Sequence, residues 1–172
     1  MPSLDEQLLR VARTRGHCPR AERAVARFSR LGEHGGAWLA IGAIGQMLDP
    51  PQRPRWRRAT ATVAGVYALN TLIKLLVRRP RPSLPDLPAL AGTPSGLSFP
   101  SAHASTSFAG ALSYSRLGLP PVPLHALAVG LSLSRLYLGV HYPSDVLAGA
   151  LLGTAVGRTR TRTLRVECEA PG

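Results

Sequence analysis

The sequence predicts an all-α protein, an integral-membrane helical bundle of about five spans preceded by amphipathic helices. Two observations carry this prediction. Apolar segments alternate with short polar stretches at sharp boundaries, although the mean hydropathy is only +0.05. Hydrophobic residues make up 45% of the chain but aromatic residues only 5%, and such small-residue interiors suit close helix packing in lipid. A soluble all-α bundle is the structural alternative.

Composition divides the chain into three regions. We expect basic amphipathic N-terminal helices over residues 1–33, a transmembrane domain over residues 34–158, and a basic polar C-terminal tail over residues 159–172. The formal net charge is +12, and every basic side chain except Lys74 is an arginine. Cys18 and Cys168 lie in the polar ends, and their spacing matches no zinc or redox motif.

The N-terminal region reads as two short amphipathic helices between residues 3 and 31. Leu4, Leu8 and Val11 share one face of the first helix, and Pro19 suits the first turn of the second. Arginines line the opposite faces, which is typical of helices that lie on an anionic membrane surface. A surface helix pair on a soluble domain is the alternative. We expect no secretory signal peptide, because no early apolar run ends in a cleavage site.

Five apolar segments follow, each marginal alone but bounded by Pro, Arg or Gly. Between the first two segments we expect a basic loop with an interface-type tryptophan, Trp56. Residues 83–99 form a long Pro/Gly/Leu loop, and loops of this length are often functional. The predicted spans are residues 35–48, 59–77, 102–118, 124–140 and 143–157.

Three polar clusters stand at the ends of these spans. They comprise residues 74–82, residues 100–103 and residues 134–145. The clusters fall at the end of the second span, the start of the third, and the link between the fourth and fifth. Because consecutive spans run antiparallel, all three clusters are expected at the same membrane face.

Lys74, Arg81 and Arg135 would then converge beside the N-terminus of the third span. Ser101 is expected to cap that helix, whose free N–H groups and dipole favour an anion. Three cations repel one another unless a polyanion lies among them, and phosphate matches arginine forks and a lysine point charge. Lysine snorkelling from a helix end is the alternative interpretation of Lys74.

His141 and Asp145 are four residues apart across a proline that starts a helix. The carboxylate can hold one imidazole nitrogen while the other faces the phosphate as a nucleophile. His103, in the first turn of the third span, is the candidate acid for the leaving oxygen. No Asp, Glu and His cluster has metal-ligand spacing, so we expect cations in place of a metal and no cofactor.

These clusters resemble the three motifs of the type 2 phosphatidic acid phosphatase superfamily, which shares its site with vanadium haloperoxidases. The motifs K-x6-RP, PSGH and SR-x5-H-x3-D occur in order, and the resemblance covers residues 59–157. Ala102 stands where the family usually has Gly, which leaves the backbone N–H in place. Membrane members usually have six spans, and basic amphipathic helices here replace the first. The matching residues are Lys74, Arg81, Pro82, Pro100, Ser101, His103, Ser134, Arg135, His141 and Asp145.

The resemblance implies a fold and a mechanism. The core would be acid phosphatase/vanadium haloperoxidase-like. His141 would attack phosphorus to give a phosphohistidine, helped by Asp145, and His103 would protonate the departing oxygen. Water would later release phosphate. The groups implied to hold the phosphoryl oxygens are the side chains of Lys74, Arg81, Ser101 and Arg135 and the N–H of Ala102.

The expected function is a metal-independent membrane phosphatase acting on a lipid phosphate, with the bilayer and that lipid as partners. A polyprenyl phosphate is favoured, including decaprenylphosphoryl-phosphoribose; phosphatidic acid and phosphatidylglycerophosphate are alternatives. Within this chemistry a soluble phosphatase or vanadate haloperoxidase is the alternative, although the apolar spans and the small size argue against it. The +12 charge also permits a basic protein that binds anionic membranes or nucleic acid. Scarce aromatic residues argue against nucleic acid. We expect a bacterial plasma-membrane protein with an extracytoplasmic site.

Overall fold

A helix of small residues lies at the centre of the bundle, and ten of its fourteen residues are buried. This computed structural model describes residues 3–169, and the side chains of residues 3–158. Every regular element in that part of the chain is helical, apart from an isolated bridge between Pro80 and Leu97. The helices are α1 (Leu4–Thr14), α2 (Pro19–Arg30), α3 (Gly36–Leu48), α4 (Arg53–Val77), α5 (Ala102–Ser115), α6 (Pro121–Tyr137) and α7 (Pro143–Glu169).

Small residues let α7 pack directly on the backbone of the central helix α5. A Cβ on Gly153 would lie 2.1 Å from the carbonyl oxygen of Ser105, and one on Gly149 would lie 2.4 Å from that of Ser101. Neither position can accept a larger side chain without moving the two helices apart. This contact fixes the start of α7 against the start of α5, where two of the three polar clusters lie.

Helix α4 is the candidate membrane span. Residues Pro50–Val77 are long and apolar enough to cross a bilayer, and only 22% of their most apolar window is buried in the bundle. A core helix of a soluble protein would instead be mostly buried. Within the described residues no other helix meets the same criteria of length and hydropathy. The number of five spans therefore stays a prediction.

The segment between α3 and α4 differs from the predicted loop. Residues 53–58 form the first turns of α4, since Pro54 is suited to a helix start. The prediction of an interface-type tryptophan was wrong: Trp56 is only 4% exposed and stacks on Tyr114 with ring centroids 5.6 Å apart. Its Nε1–H donates to Asp49 at 3.1 Å, so this indole belongs to the core.

Two helix boundaries near the site also differ from the prediction. Helix α6 ends at Tyr137 rather than at residue 140, because Gly139 adopts a left-handed φ of 71° and turns the chain. Helix α7 continues to Glu169, into the segment assigned to the tail. Residues 138–142 thus form a short link, and His141 lies on it.

The two N-terminal helices form as predicted; α1 packs against α6 and α7, and α2 packs against α6. Leu4, Leu8 and Val11 of α1 are exposed, as expected for a face that lies on a membrane, whereas Leu9 and Arg13 are buried. Cys18 accepts a hydrogen bond from the N–H of Ala21 and so caps α2. The side chain of Cys168 lies outside the described part of the chain.

Candidate active site

The three polar clusters meet at one end of the bundle. The guanidinium of Arg81, just beyond α4, donates to the Val140 carbonyl at 2.7 Å and lies 3.2 Å from Nε2 of His141. The N–H of Ser101, at the start of α5, donates to the Asp145 carbonyl at 2.9 Å. The structure therefore joins the end of α4, the start of α5 and the α6–α7 link into one site.

His141 and Asp145 form a buried pair. Nδ1 of His141 lies 3.5 Å from Oδ2 of Asp145, which is an ion-pair distance without a direct hydrogen bond, and that oxygen accepts the N–H of Tyr142 at 2.8 Å. Because the Arg81 guanidinium can only donate, the Nε2 atom that it contacts accepts. The proton of a neutral His141 thus lies on Nδ1, toward the carboxylate, and the lone pair lies on Nε2.

Burial keeps His141 in this neutral form. Removal from water lowers the pKa of its imidazole well below the usual value, although the interaction with Asp145 raises the pKa in part. Nearby positive charges lower the pKa further, and they belong to Arg81, Lys74 and Arg135. An unprotonated nitrogen at neutral pH is what a nucleophilic histidine needs.

The long loop before α5 holds two of the cations. Nζ of Lys74 donates to the carbonyls of Leu97 and Ser98, at 3.2 and 3.0 Å. Nε of Arg81 donates to the Ser95 carbonyl at 2.7 Å. Lys74 is therefore half-buried under the loop, and this geometry favours the site interpretation over snorkelling along lipid.

The C-terminal end of α2 contacts the third cation and the second histidine. Ser29 accepts from Arg135 at its hydroxyl, at 2.7 Å, and from Nε2 of His103 at its carbonyl, at 2.9 Å. A carbonyl can only accept, so Nε2 of His103 carries a proton. The N-terminal helices therefore line the site, in addition to forming the exposed surface that the sequence predicts.

Ser101 lies at the N-cap position of α5, but the prediction that its hydroxyl caps the helix was wrong. Its backbone is held by α7 instead, and among the described residues its buried Oγ has no hydrogen-bond partner. The same is true of Nε of Arg135. Ala102 begins α5 without a left-handed φ, so the glycine usual in the family is not required here.

Two residues that sequence reasoning missed contact the predicted ones, and a third, Asp5, contacts Arg79. Ser29 bonds Arg135 and His103, as described above. Arg79 donates to Oδ1 of Asp145 at 2.8 Å, and Asp5 of α1 accepts from Arg79 at the same distance. Arg79 lies inside the K-x6-RP spacing, which is a weak signal. Nothing in the local sequence around Asp5 or Ser29 reveals a contact so distant along the chain.

This geometry suits the binding of a tetrahedral oxyanion. Fork-shaped and point-charge donors lie around the neutral Nε2 of His141, and His103 and Arg135 both contact Ser29. Such a site can neutralise the charge of a phosphoryl group while a nucleophile attacks it. Phosphoryl transfer through histidine is the chemistry that these groups support.

Curated relatives agree with this chemistry. The chain is 45% identical over 135 residues, which cover 78% of this chain and 76% of the relative, to decaprenylphosphoryl-5-phosphoribose phosphatase of Mycobacterium tuberculosis. It is 44% identical over 121 residues, or 70% of this chain and 67% of the relative, to the protein of the same name from Mycolicibacterium smegmatis. Over a shorter stretch of 94 residues it is 36% identical to lipid A 4'-phosphatase of Bacteroides thetaiotaomicron, which covers 49% of this chain and 42% of that protein.

Solved structures share the fold. Aquifex aeolicus LpxE superimposes with a TM-score of 0.77 and 24% identity, over 94% of this chain and 96% of its own. A phosphatidylglycerolphosphate phosphatase from Bacillus subtilis gives a TM-score of 0.73 and 22% identity, over 94% of this chain and 84% of its own. The profile of the PAP2 superfamily matches residues 56–166, which span α4 to α7. The resemblance predicted from three short motifs is thereby confirmed, and the chain belongs to the PAP2 superfamily.

Proposed function

We propose that the protein, a lipid phosphate phosphatase of this superfamily, removes the terminal phosphate monoester from a polyprenyl-linked phosphosugar of the decaprenylphosphoryl-5-phosphoribose type. The relatives that share 44–45% identity over most of both chains carry that name. The observation that carries the chemistry is the buried His141, with Asp145 at one imidazole nitrogen and Arg81 at the other.

In the first step Nε2 of His141 attacks phosphorus. The new N–P bond forms as the bond from phosphorus to the sugar oxygen breaks, and His103, as an imidazolium, donates its proton to that oxygen. Asp145 stabilises the positive charge that develops on the His141 ring. The groups proposed to hold the three phosphoryl oxygens are the side chains of Lys74, Arg81, Ser101 and Arg135 and the N–H of Ala102.

In the second step water breaks the N–P bond. His103, now neutral, accepts a proton from the water as its oxygen bonds to phosphorus, and His141 leaves as the neutral imidazole. Inorganic phosphate and both histidines are thereby regenerated. The unpaired, buried Oγ of Ser101 and Nε of Arg135 support the oxygen-binding roles, because a buried donor is costly unless it finds an acceptor.

The surroundings of the site suit a lipid substrate. Large apolar side chains on the last turns of α4, next to Lys74, are exposed. They offer a surface along which a polyprenyl chain can lie in the membrane while its head group reaches the cations. The exposed residues are Leu69, Leu72, Leu75, Leu76 and Val77.

A phosphate-release assay tests the proposal. Purified protein, with EDTA present, is given decaprenylphosphoryl-5-phosphoribose, phosphatidic acid, phosphatidylglycerophosphate and a lipid A phosphate at equal surface concentration. We expect the first substrate to have the highest kcat/KM, and vanadate to inhibit because it can adopt the five-coordinate geometry of the transition state. Preference for either glycerolipid would support the alternative substrates instead. Absence of phosphate release, with salt-dependent retention on DNA, would support a basic binding protein.

We propose further that the site faces the extracytoplasmic side of the plasma membrane. The arginines at residues 53–58 lie at the opposite end of α4, and the positive-inside rule favours the cytoplasm for such a cluster. Cys18 lies at the site end, since the adjacent His17 stacks on Tyr137 at 4.0 Å. In a Cys168→Ser variant, a membrane-impermeant maleimide should therefore label Cys18 in intact cells. Labelling only after lysis would reverse the orientation.

A further inference from the structure

Arg79 connects three elements of the chain through one guanidinium. One nitrogen, Nη1, donates to Oδ1 of Asp145 at 2.8 Å and to the Ser144 hydroxyl at 2.7 Å. The other, Nη2, donates to Asp5 at 2.8 Å, and the guanidinium carbon lies 4.1 Å from the centre of the Tyr142 ring. A planar fork can serve two carboxylates at once, whereas a lysine offers a single point charge.

Asp5 completes this arrangement from α1. Its carboxylate accepts from Arg79 and from both the N–H and the hydroxyl of Ser144, with the N–H at 3.0 Å. Burial alone would raise the pKa of Asp5, but the hydrogen bonds from Arg79 and Ser144 outweigh it and hold the pKa below its usual range. Asp5 is therefore a carboxylate at neutral pH, fixed to the start of α7.

These contacts determine how Asp145 is oriented. Its Oδ1 is occupied by Arg79 and its Oδ2 by the N–H of Tyr142, so the carboxyl group cannot rotate about its Cβ–Cγ bond without losing both. Oδ2 is thereby kept toward Nδ1 of His141. The side chain of Asp145 is fully buried, so loss of Arg79 would leave one oxygen unpaired away from water.

We infer that Asp5 and Arg79 are positioning residues for the His141–Asp145 pair. Asp5 fixes the guanidinium of Arg79, Arg79 fixes the carboxylate of Asp145, and the carboxylate orients the imidazole for attack. Helix α1 would then be part of the catalytic apparatus and not simply a membrane-surface helix. This inference rests on the proposed phosphatase function, but it assigns roles to two residues that the superfamily motifs do not specify.

The first test is the pair Asp5→Asn and Arg79→Gln. Neither residue contacts the proposed phosphate-binding groups, so we expect kcat to fall about tenfold or more while KM changes by less than about twofold. The inhibition constant of inorganic phosphate, which reports the anion site alone, should also stay within about twofold of the wild-type value. Asp5→Glu keeps the charge and should recover part of kcat, and Asp5→Asn should have little further effect in the Arg79→Gln protein.

Matched controls separate this role from general docking of α1. Asp86 also anchors α1, through an exposed ion pair with Arg10, but does not reach the catalytic pair. Asp86→Asn should therefore keep wild-type kcat. Arg78 is the neighbour of Arg79, and its side chain donates to the Leu75 carbonyl at 3.1 Å, so Arg78→Gln is the control for loss of a positive charge.

The outcomes are distinct. An unchanged kcat in Asp5→Asn, an equal loss in Asp86→Asn, or a parallel rise in the phosphate inhibition constant would each overturn the inference. If Asp5→Asn does not fold, Arg79→Gln must show the same split between kcat and KM, and failure of both to fold would assign a purely structural role. A wild-type protein that releases no phosphate would contradict the proposed function itself, whereas an active one with unaffected variants contradicts only the inference.

Discussion

The two ends of the bundle carry the same kind of charge in opposite settings. At the start of α4, the arginines of residues 53–58 are exposed and contact neighbouring surface groups, such as Gln46 and Gln52. At the end of α4 and beyond, Lys74 and Arg81 are half-buried under a loop, and Arg135 is only 4% exposed. Burying a cation is costly unless an anion or hydrogen-bond acceptors compensate it.

This difference shows that burial, more than residue type, identifies a site. The +12 charge alone would fit a nucleic-acid or membrane-surface protein, and most of it comes from exposed arginines. Three buried or half-buried cations beside two histidines instead favour an anionic ligand.

The largest difference is expected between two histidines. His141→Ala should lower kcat by at least about a thousandfold, because the variant lacks the nucleophile. His125, which bonds the Pro121 carbonyl at the opposite end of the bundle, should tolerate alanine with wild-type turnover. Steady-state kinetics with a thermal-melt check on both proteins decides the matter. Comparable activities of the two variants would show that His141 takes no part in the reaction.

Two arginines give the next contrast. Arg135→Gln should reduce kcat/KM by about a hundredfold, since removal of one charge-stabilising donor typically costs that much. Arg57→Gln, which makes the same change in an exposed side chain at the other end, should stay within about twofold. If Arg57→Gln were equally damaging, general surface charge rather than the local site would account for activity.

Lys74→Arg is a smaller test of geometry at the site end. Charge is conserved, but the arginine fork needs more room than the ammonium that now bonds the Leu97 and Ser98 carbonyls. We expect kcat/KM to fall about tenfold, or about 1.4 kcal/mol of transition-state binding. Wild-type kinetics in this variant would indicate that the lysine is incidental.

The smallest expected effect is in the pH profile. Because burial lowers the pKa of His141, the nucleophile stays unprotonated well below the usual histidine pKa of about 6.5. After correction for the ionisation of the substrate phosphate, kcat/KM should therefore show no fall as the pH drops through that value, and protonation of the acid His103 can only raise it. An acid limb with its midpoint near 6.5 would mean that His141 titrates as an exposed imidazole does.

Much of the site could be predicted from the sequence because its residues stand at fixed spacing from helix ends. His141 and Asp145 are four apart around Pro143, and Ser101 and His103 open α5, so local structure alone brings each set together. The antiparallel alternation of helices then places the sets at one end. The start of α4 and the end of α6 were predicted wrongly because Pro54 and Gly139 each fit two local interpretations, and α7 extends past its predicted end.

The contacts of the N-terminal helices could not be predicted. Ser29 lies 106 residues before Arg135, and Asp5 lies 74 residues before Arg79. No periodicity or spacing connects such pairs, since they depend on how α1 and α2 pack on the finished bundle. The prediction for Trp56 was wrong for the same reason, because its stacking partner Tyr114 belongs to a helix that is distant along the chain.

Trapping the covalent intermediate tests the central claim most directly. Enzyme mixed with substrate labelled in the terminal phosphate is quenched in alkali, where phosphohistidine survives, and digested with trypsin. Cleavage after Arg135 and Arg158 gives a peptide in which His141 is the only histidine, whereas His103 falls in a different peptide. The account predicts label on residues 136–158, and none in the His141→Ala protein. Label on the His103 peptide, or turnover without any labelled peptide, would contradict it.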